Sequence, residues 1–388
     1  MAPASREGRE KDPQAVGRRR CGSVSDLSAP EEVLAAARAA TDEWDAQLAV
    51  RRTTAAYQAY ERVRRQVLGL MALGQNRRLT GHAPSNYWSG ELAKFEYMLD
   101  ASPLIIEKLR HHTHNLTGLH TNHYRQSLNN HRRRFTEKLQ ALRALDGTDA
   151  GLWVPEARLL GGFGFEIEGE LVNIDTLKFY EVLIALHVGA VLNEMRHATE
   201  RKLVWEIGAG WGGFPYQFKK LCPNVTYVIT DFPELFLFSA TYLMAAFPDA
   251  RVRFYGEVPP QETFADWRDL DFIFLPDTLH AAARPDQVDL MINMVSFQEM
   301  TTQQVEGYVR RAFELECPYL YSLNRDRSHH NQELSNVRSI IGQYYWPHQV
   351  DVLPVSYTKM LHEDPDEEDS GYKHMVGWRR VSDSEPSR

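Results

Sequence analysis

The stretch EIGAGWGG, from Glu206 to Gly213, carries two glycine patterns at once. Gly208, Gly210 and Gly213 make G-x-G-x-x-G, the spacing of a dinucleotide-binding turn. Glu206 with Gly208, Gly210 and Gly212 makes E-x-G-x-G-x-G, the spacing of a loop that holds S-adenosylmethionine. Either ligand needs a strand that enters a tight turn and leaves as a helix, with backbone that can approach closely. The glycines therefore do not choose between them. Asp231 does not choose either, since an acid at that remove takes a ribose hydroxyl of both. Three other features do. Glu206 sets a carboxylate where it attracts an ammonium group and repels a pyrophosphate. Trp211 and Phe214 are bulky where a pyrophosphate needs bare amides. The chain also ends in two strand-like runs joined only by a loop, which gives a sheet an antiparallel last strand. Together these point to S-adenosylmethionine, with Glu206, Gly208, Gly210, Gly212, Asp231 and Phe232 as its expected contacts. Gly213 is then a helix-packing glycine.

The elements that must position this loop alternate from Lys202 onward, as in an α/β sheet. LVWEI (203–207) is the first strand, FPYQFKKL (214–221) begins the next helix, and VTYVIT (225–230) is the second strand. Two readings compete for the third and fourth. VRFYG (252–256) and DFIFL (271–275) fit, as do DFIFL and DLMIN (289–293); the second pair is preferred. A helix at 301–315, a strand YLYSL (319–323), a helix near 332–345 and strands QVDVL (349–353) and HMVGW (374–378) complete a seven-stranded sheet. Upstream, Ser28-x-x-Glu31 with Pro30 reads as a helix start, and residues 31 to about 73 favour helix. A second helical block covers about 88–145, with a turn at 115–118. GGFGFEIEGELVNID reads as a hairpin or loop, and residues 177 to about 195 as an amphipathic helix. The expected regions are a disordered tail at 1–27, a helical lid or substrate region at 28–150, a connecting hairpin and helix at 151–200, a cofactor-binding domain at 201–380 and a tail at 381–388.

Several blocks share more than the glycine loop with one family. EIGAGWGG, TDFPE (230–234) and VDLMINMVSFQEM (288–300) resemble the bacterial sugar O-methyltransferase family. So do YWSGELAKFEYML (87–99), KLRHHTHNLTG (108–118), GGFGFEIEGELVNIDTLKFYE (161–181), YLYSLNRDRS (319–328) and YKHMVGW (372–378). The resemblance spans about residues 85–380. It implies a class I methyltransferase Rossmann-like sheet, an S-adenosylmethionine cofactor and a sugar hydroxyl as acceptor, in a glycoside or secondary metabolite.

A hydroxyl acceptor needs a general base or a metal ion, and the enzyme must otherwise align nucleophile, methyl and sulfur. In such sheets the ligand lies at the carboxyl ends of the strands. The fourth strand ends at Asn293, followed by Ser296 and Glu299. Glu299 is the leading base or metal ligand, although Ser296-x-x-Glu299 also reads as a helix cap. Asn293 fixes substrate or cofactor, or is a turn residue. His280 would serve as the base if DFIFL were the fourth strand; in the preferred order it lies nearer the adenine, with Asp277 lining that pocket. His111, His112, His114, His120, His123 and Tyr124 form a polar cluster without metal-ligand spacing. Substrate contact is expected of His112, Tyr124, Ser296, Asn324 and Arg325, with Arg327 beside them. A divalent metal has no motif of its own. The run EDPDEEDS (363–370) lacks the spacing of a calcium loop.

Composition agrees with an ordinary globular protein. The 388 residues are 43% hydrophobic and 25% charged, with a net charge of −8. Such a charge weighs against nucleic-acid binding, although Arg18, Arg19 and Arg20 form a short basic cluster. Three scattered cysteines imply free thiols in a reducing, cytoplasmic setting. A nucleotide-dependent oxidoreductase and a non-catalytic cofactor-binding scaffold are the competing classes.

Overall fold

The computed structural model describes residues 30–74, 84–125, 128–147, 151–328, 331–351 and 371–380. Ser28, the arginine cluster, Cys21, the acidic run and both tails lie outside the described residues. The chain divides into two compact units, Met1–Val50 and Arg51–Arg388. The described part of the first lies in helix α1 (Pro30–Arg52). Its alanines favour helix, and Glu31 and Glu32 in its first turn and Arg51 and Arg52 in its last oppose the helix dipole.

The second unit is built on an eight-stranded sheet. Its strands are β3 (Lys202–Ile207), β4 (Val225–Asp231), β5 (Val252–Phe254), β6 (Phe272–Pro276), β7 (Leu290–Met294), β8 (Tyr319–Asn324), β9 (Tyr345–Gln349) and β10 (Lys373–Arg379). Their order across the sheet is β5-β6-β4-β3-β7-β8-β10-β9. Pairs from β5 through β8 are parallel, and β10 runs antiparallel to both its neighbours. The sheet therefore has the class I methyltransferase arrangement with an antiparallel last strand. DFIFL pairs beside β4 and DLMIN beside β3, so they are the third and fourth strands of that arrangement. VRF adds an eighth strand beyond the expected seven. Phe254 stacks on Phe274 of the neighbouring strand at 4.9 Å, and Arg253 donates to the carbonyls of Glu262 and Thr263, which holds this edge in place.

Other boundaries moved as well. The penultimate strand begins at Tyr345 rather than 349. Asn336 caps helix α12 (Val337–Tyr344), its side chain accepting from Ser339 N, and the aromatic pair Tyr345–Trp346 then enters the sheet opposite Arg379 and Trp378. Residues 352 and 353 lie outside the described residues.

Both sheet faces are covered. Leu203, Trp205 and Ile207 join one buried cluster with residues of α11 (Thr302–Glu314) and α12; Val204 joins the other, with α9 (Gly213–Leu221) and α10 (Phe236–Ala246). That alternation turns Glu206 toward the second cluster. The hairpin is real: β1 (Phe165–Ile167) and β2 (Glu170–Val172) pair antiparallel. Helix α7 (Ile174–Val188) is not amphipathic but buried nearly all round. Its polar members are neutralised in place: Glu181 pairs with Lys138 of α6 (Asn129–Asp146) and, at 3.4 Å, with His374 of β10.

The upstream helices are α2 (Ala55–Gly74), α3 (Asn86–Glu91), α4 (Pro103–Glu107) and α5 (His114–Thr117), with 3-10 turns at Leu92–Asp100 and Leu109–His112; α8 (Val191–Arg196) leads into β3. Phe95 meets Phe238 of α10 edge-on at 5.5 Å, and Arg62 of α2 pairs with Glu257 at 2.9 Å. A buried cation ties these layers together. Arg110 is wholly buried and donates to Glu156 (2.7 Å) and Thr113 (2.8 Å). It lies 3.5 Å from Asp175 of α7, and its guanidinium stacks on the Trp211 ring, 3.4 Å from the centroid. Trp211 in turn donates to Asp175 at 3.0 Å. Replacing Arg110 by Met would leave Glu156 buried without its cation and Asp175 with Lys178 alone. The expected loss is about 3–5 kcal/mol, read from the urea midpoint and slope. A loss under about 1 kcal/mol would show that the network carries little.

Candidate functional site

The carboxyl ends of β3, β4, β6 and β7 open on one cleft, where β3 stands between β4 and β7 and the chain changes direction across the sheet. The glycine loop forms its floor. Gly208 has φ +75°, and a Cβ there would come within 2.4 Å of Ser296 Oγ. Gly212 has φ +87° at the start of α9, where a Cβ would meet Ser239 Cα at 3.0 Å. These two positions admit only glycine. Gly210 donates its N–H to Asp231 Oδ2 at 3.0 Å. Gly213 lies flat under the Trp211 ring, which a Cβ would enter.

Two adjoining cavities occupy the cleft. The larger encloses about 890 Å³, its open mouth included, between Glu206, Lys178, Phe179, Trp211, Leu116 and Glu299. The smaller, about 380 Å³, lies between Thr230, Asp277, Gln304 and Tyr308. Trp88, Gly208, Asp231, Phe232 and Met300 line both and form the neck between them.

Glu206 is fully buried and lines the larger cavity. Tyr227 donates to its Oε2 at 2.9 Å, while Oε1 has no hydrogen-bond partner. Burial pushes this carboxyl up to about 8. Lys178 of α7 lines the same wall, with its Nζ on Asp175 Oδ1 at 3.1 Å. Asp231, at the neck, accepts from Gly210 N and from Phe232 N (2.9 Å), and burial outweighs both bonds to push it up to about 7. The residues present fit S-adenosylmethionine. The orphaned Glu206 oxygen suits its ammonium, Asp231 its ribose, and the second cavity its adenine. A dinucleotide would bring its pyrophosphate toward buried acids instead.

The chain leaves β7 through a strained turn. Val295, a β-branched residue, has φ +61° and donates its N–H to Leu323 O at 2.8 Å. Such a conformation costs about 1–3 kcal/mol and gathers at functional sites. Asn293 holds this turn. It donates to Ile207 O (2.8 Å) and Ser296 Oγ (2.5 Å), and its Oδ1 accepts from Phe297 N and Asn324 Nδ2. Its amide is therefore fully occupied in bracing the loop, and Asn324, wholly buried, is its partner rather than a cleft residue. Ser296 and Glu299 both line the larger cavity. Helix α11 is capped by Thr301 and Gln304 in a reciprocal box, and Ser296 makes no side-chain cap bond, so Glu299 is not engaged in capping. Its carboxyl is half-buried and pushed up to about 8 by burial, with Glu91 adding repulsion.

Other expected residues lie elsewhere. His280 follows β6, the third strand of the sheet arrangement, and lines neither cavity of the cleft. Its ring lies against Tyr308 at 4.1 Å, and its Nδ1 is 2.7 Å from Asp277 O. Asp277 does line the smaller cavity. Tyr124 is a core residue among Phe135, Phe163 and Phe165, and its hydroxyl accepts from Ile174 N at the start of α7. His112 pairs with Tyr97 Oη at 3.1 Å; from its segment Leu116 and Thr117 reach the cleft instead. The Arg325 guanidinium lies over Tyr372, 4.7 Å from the ring centroid. Arg327 is exposed. Among the described residues no group of three His, Cys, Asp or Glu side chains could hold a metal ion, and no helix is long and apolar enough to cross a membrane. Sequence reasoning missed Trp88, Lys178 and Phe179, which are distant in sequence from the loop they cover. The block YWSGELAKFEYML was the one available signal for Trp88.

No family model matches the chain, and no curated protein matches it. Solved structures with a similar sheet include the bifunctional kinase-methyltransferase WbdD, at 12% identity and TM-score 0.37 over 55% of this chain and 41% of that one. Magnesium protoporphyrin IX methyltransferase (ChlM) from Synechocystis PCC 6803, with bound S-adenosylmethionine, is similar at 12% identity and TM-score 0.32, over 63% of this chain and 93% of that one. The S-adenosylmethionine-dependent methyltransferase SibL matches at 10% identity and TM-score 0.32, over 65% and 70%. The chain spans about two-fifths of WbdD's length. At scores this low nothing about acceptor or activity carries over from these proteins; the strand order and the cleft are this chain's own.

Proposed function

We propose that the chain is an S-adenosylmethionine-dependent O-methyltransferase whose acceptor is a hydroxyl of a small molecule, a sugar of a glycoside or secondary metabolite. One observation carries the reading: a buried Glu206 carboxyl with one unpartnered oxygen lines the same cavity as Glu299. The resemblance of the N-x-x-S-x-x-E-M block and its companions supports the sugar acceptor.

S-adenosylmethionine, when bound, supplies an electrophilic methyl group. The chain's residues do the rest. Glu206 binds the ammonium, and Asp231 accepts from the ribose hydroxyls. Trp88, Phe179, Trp211 and Phe214 give the cleft apolar walls, which exclude water. Glu299 accepts the acceptor's hydroxyl proton as the oxygen–carbon bond forms and the carbon–sulfur bond breaks, its electron pair staying on sulfur. The alignment of these groups supplies most of the acceleration.

Three outcomes are expected. Calorimetric titration gives binding heat with S-adenosylmethionine and S-adenosylhomocysteine and none with NAD; silence from the first two sinks the reading. Glu206 is protonated below about 8 in the free protein, and an ammonium partner favours its ionised form. At pH 6.5 cofactor binding therefore releases protons. Glu206→Gln lowers that release by about one proton, measured in buffers of different ionisation heat; an unchanged proton count removes Glu206 from the ammonium site. Glu299 is a base only when ionised, so turnover rises about tenfold per pH unit below about 8 and levels off above it. Glu299→Gln slows turnover by at least about 100-fold and abolishes the rise, while S-adenosylhomocysteine affinity stays within about twofold.

A further inference from the structure

The acids of the cleft have one basic companion. Among the described residues that line either cavity, Lys178 alone carries a basic side chain, against Glu206, Asp231 and Glu299 on the larger cavity. Its place is fixed from the glycine loop. Its Nζ donates to Asp175 Oδ1 at 3.1 Å, and Asp175 Oδ2 accepts from the Trp211 indole at 3.0 Å. Arg110 lies 3.5 Å from that same Oδ2. Phe179, the next residue of α7, packs against Trp211 and Phe214, with ring centroids 6.2 and 5.7 Å away. Lys178 is therefore anchored to the loop that follows Glu206.

An ammonium has three donors. Asp175 takes one, which leaves two for a ligand. Lys178 and Glu206 line one cavity without pairing: Glu206 has Tyr227 on one oxygen and no hydrogen-bond partner on the other. A cation and an anion kept apart in one pocket suit a ligand group that carries both charges.

We infer that Lys178 receives the carboxylate of the cofactor's amino-acid end while Glu206 receives its ammonium, so that the two together select an intact α-amino acid group. The inference rests on the S-adenosylmethionine reading above. A carboxylate in this cavity meets three acids that repel it and a single side chain that attracts it. A hydrogen bond between charged groups is about twice as strong as a neutral one. Lys178 is thereby a specificity residue, which turns away adenosyl thioethers that have lost the carboxylate.

The test is calorimetric binding of two ligands, S-adenosylhomocysteine and its decarboxylated analogue, which keeps the ammonium and lacks only the carboxylate. Wild type is expected to bind the first about 10- to 100-fold more tightly, the scale of one hydrogen bond to a charged group. Lys178→Met keeps the apolar stem and removes the charge, and Asp175 still has Arg110 and Trp211. The variant loses about 10- to 100-fold in affinity for S-adenosylhomocysteine, binds the analogue within about threefold of wild type, and no longer tells the two apart. Equal losses for both ligands, or a preference that survives the substitution, overturn the inference. So does unchanged S-adenosylhomocysteine binding with weakened acceptor binding, which would give Lys178 to an acidic acceptor instead. If the variant does not fold, the wild-type protein with ¹³C-labelled lysines decides. One lysine side-chain resonance shifts with S-adenosylhomocysteine and stays in place with the analogue; the absence of any such resonance overturns the inference. No heat from wild type with either ligand would instead sink the cofactor reading itself.

Discussion

A guanidinium buried under an indole holds the molecule's layers in register. Arg110 comes from the upstream helical segment, Glu156 from the approach to the hairpin, Asp175 from α7 and Trp211 from the glycine loop. A buried cation is tolerated only where its charge is matched and its donors are used. Those four residues therefore cannot separate cheaply. The indole so held keeps Gly213 beneath it and fixes the first turn of α9, and with it the direction in which the glycine loop presents its amides. The upstream helices are thus tied to the floor of the cleft by charge as well as by apolar packing.

The cleft above this floor is electrostatically lopsided. Glu206, Asp231 and Glu299 all line it, and burial raises all three carboxyls toward neutrality near physiological pH. Two cationic centres, an ammonium and a sulfonium, are what such a cavity lacks. On the proposed reading, the same electrostatics lets one acid hold the ligand and another accept a proton. Glu206 has a phenol on one oxygen and nothing on the other, whereas Glu299, on the same cavity, has a second acid, Glu91, near it. Environment, not residue type, would separate the two proposed roles.

The sheet was legible in sequence because its strands are short apolar runs buried on both faces, punctuated by the glycine turn and by Asp231. The extra strand β5 was harder, since three residues at an edge give almost no periodic signal. The amphipathic reading of residues 177 to about 195 fails at α7 because Glu181, which looks like part of a solvent face, is buried in an ion pair that no spacing rule reveals. The polar run around His112 and Tyr124 looked like a ligand wall, but Tyr124 serves the core and two plain residues, Leu116 and Thr117, reach the cleft. Glu299 was ambiguous between capping and catalysis because Ser296-x-x-Glu299 satisfies the capping pattern. Thr301-x-x-Gln304, equally visible, is the pair that caps the helix. Trp88 and Lys178 belong to the site only through tertiary folding, and no local pattern could assign them a position in it.

The cleft's cover and its floor come from successive stretches of the unit. Trp88, Leu116, Lys178 and Phe179 precede the sheet in the chain, whereas Gly208, Asp231, Ser296 and Glu299 follow its first strand. During synthesis the cover leaves the ribosome with its buried cation and its apolar helix α7 exposed, before the strands that shelter them exist. No portion of the chain ending before β7 can contain a complete site. Ligand binding by this protein is therefore also a report that the chain has folded through β7, which makes the cofactor a natural arbiter between chains that have reached this stage and shorter ones.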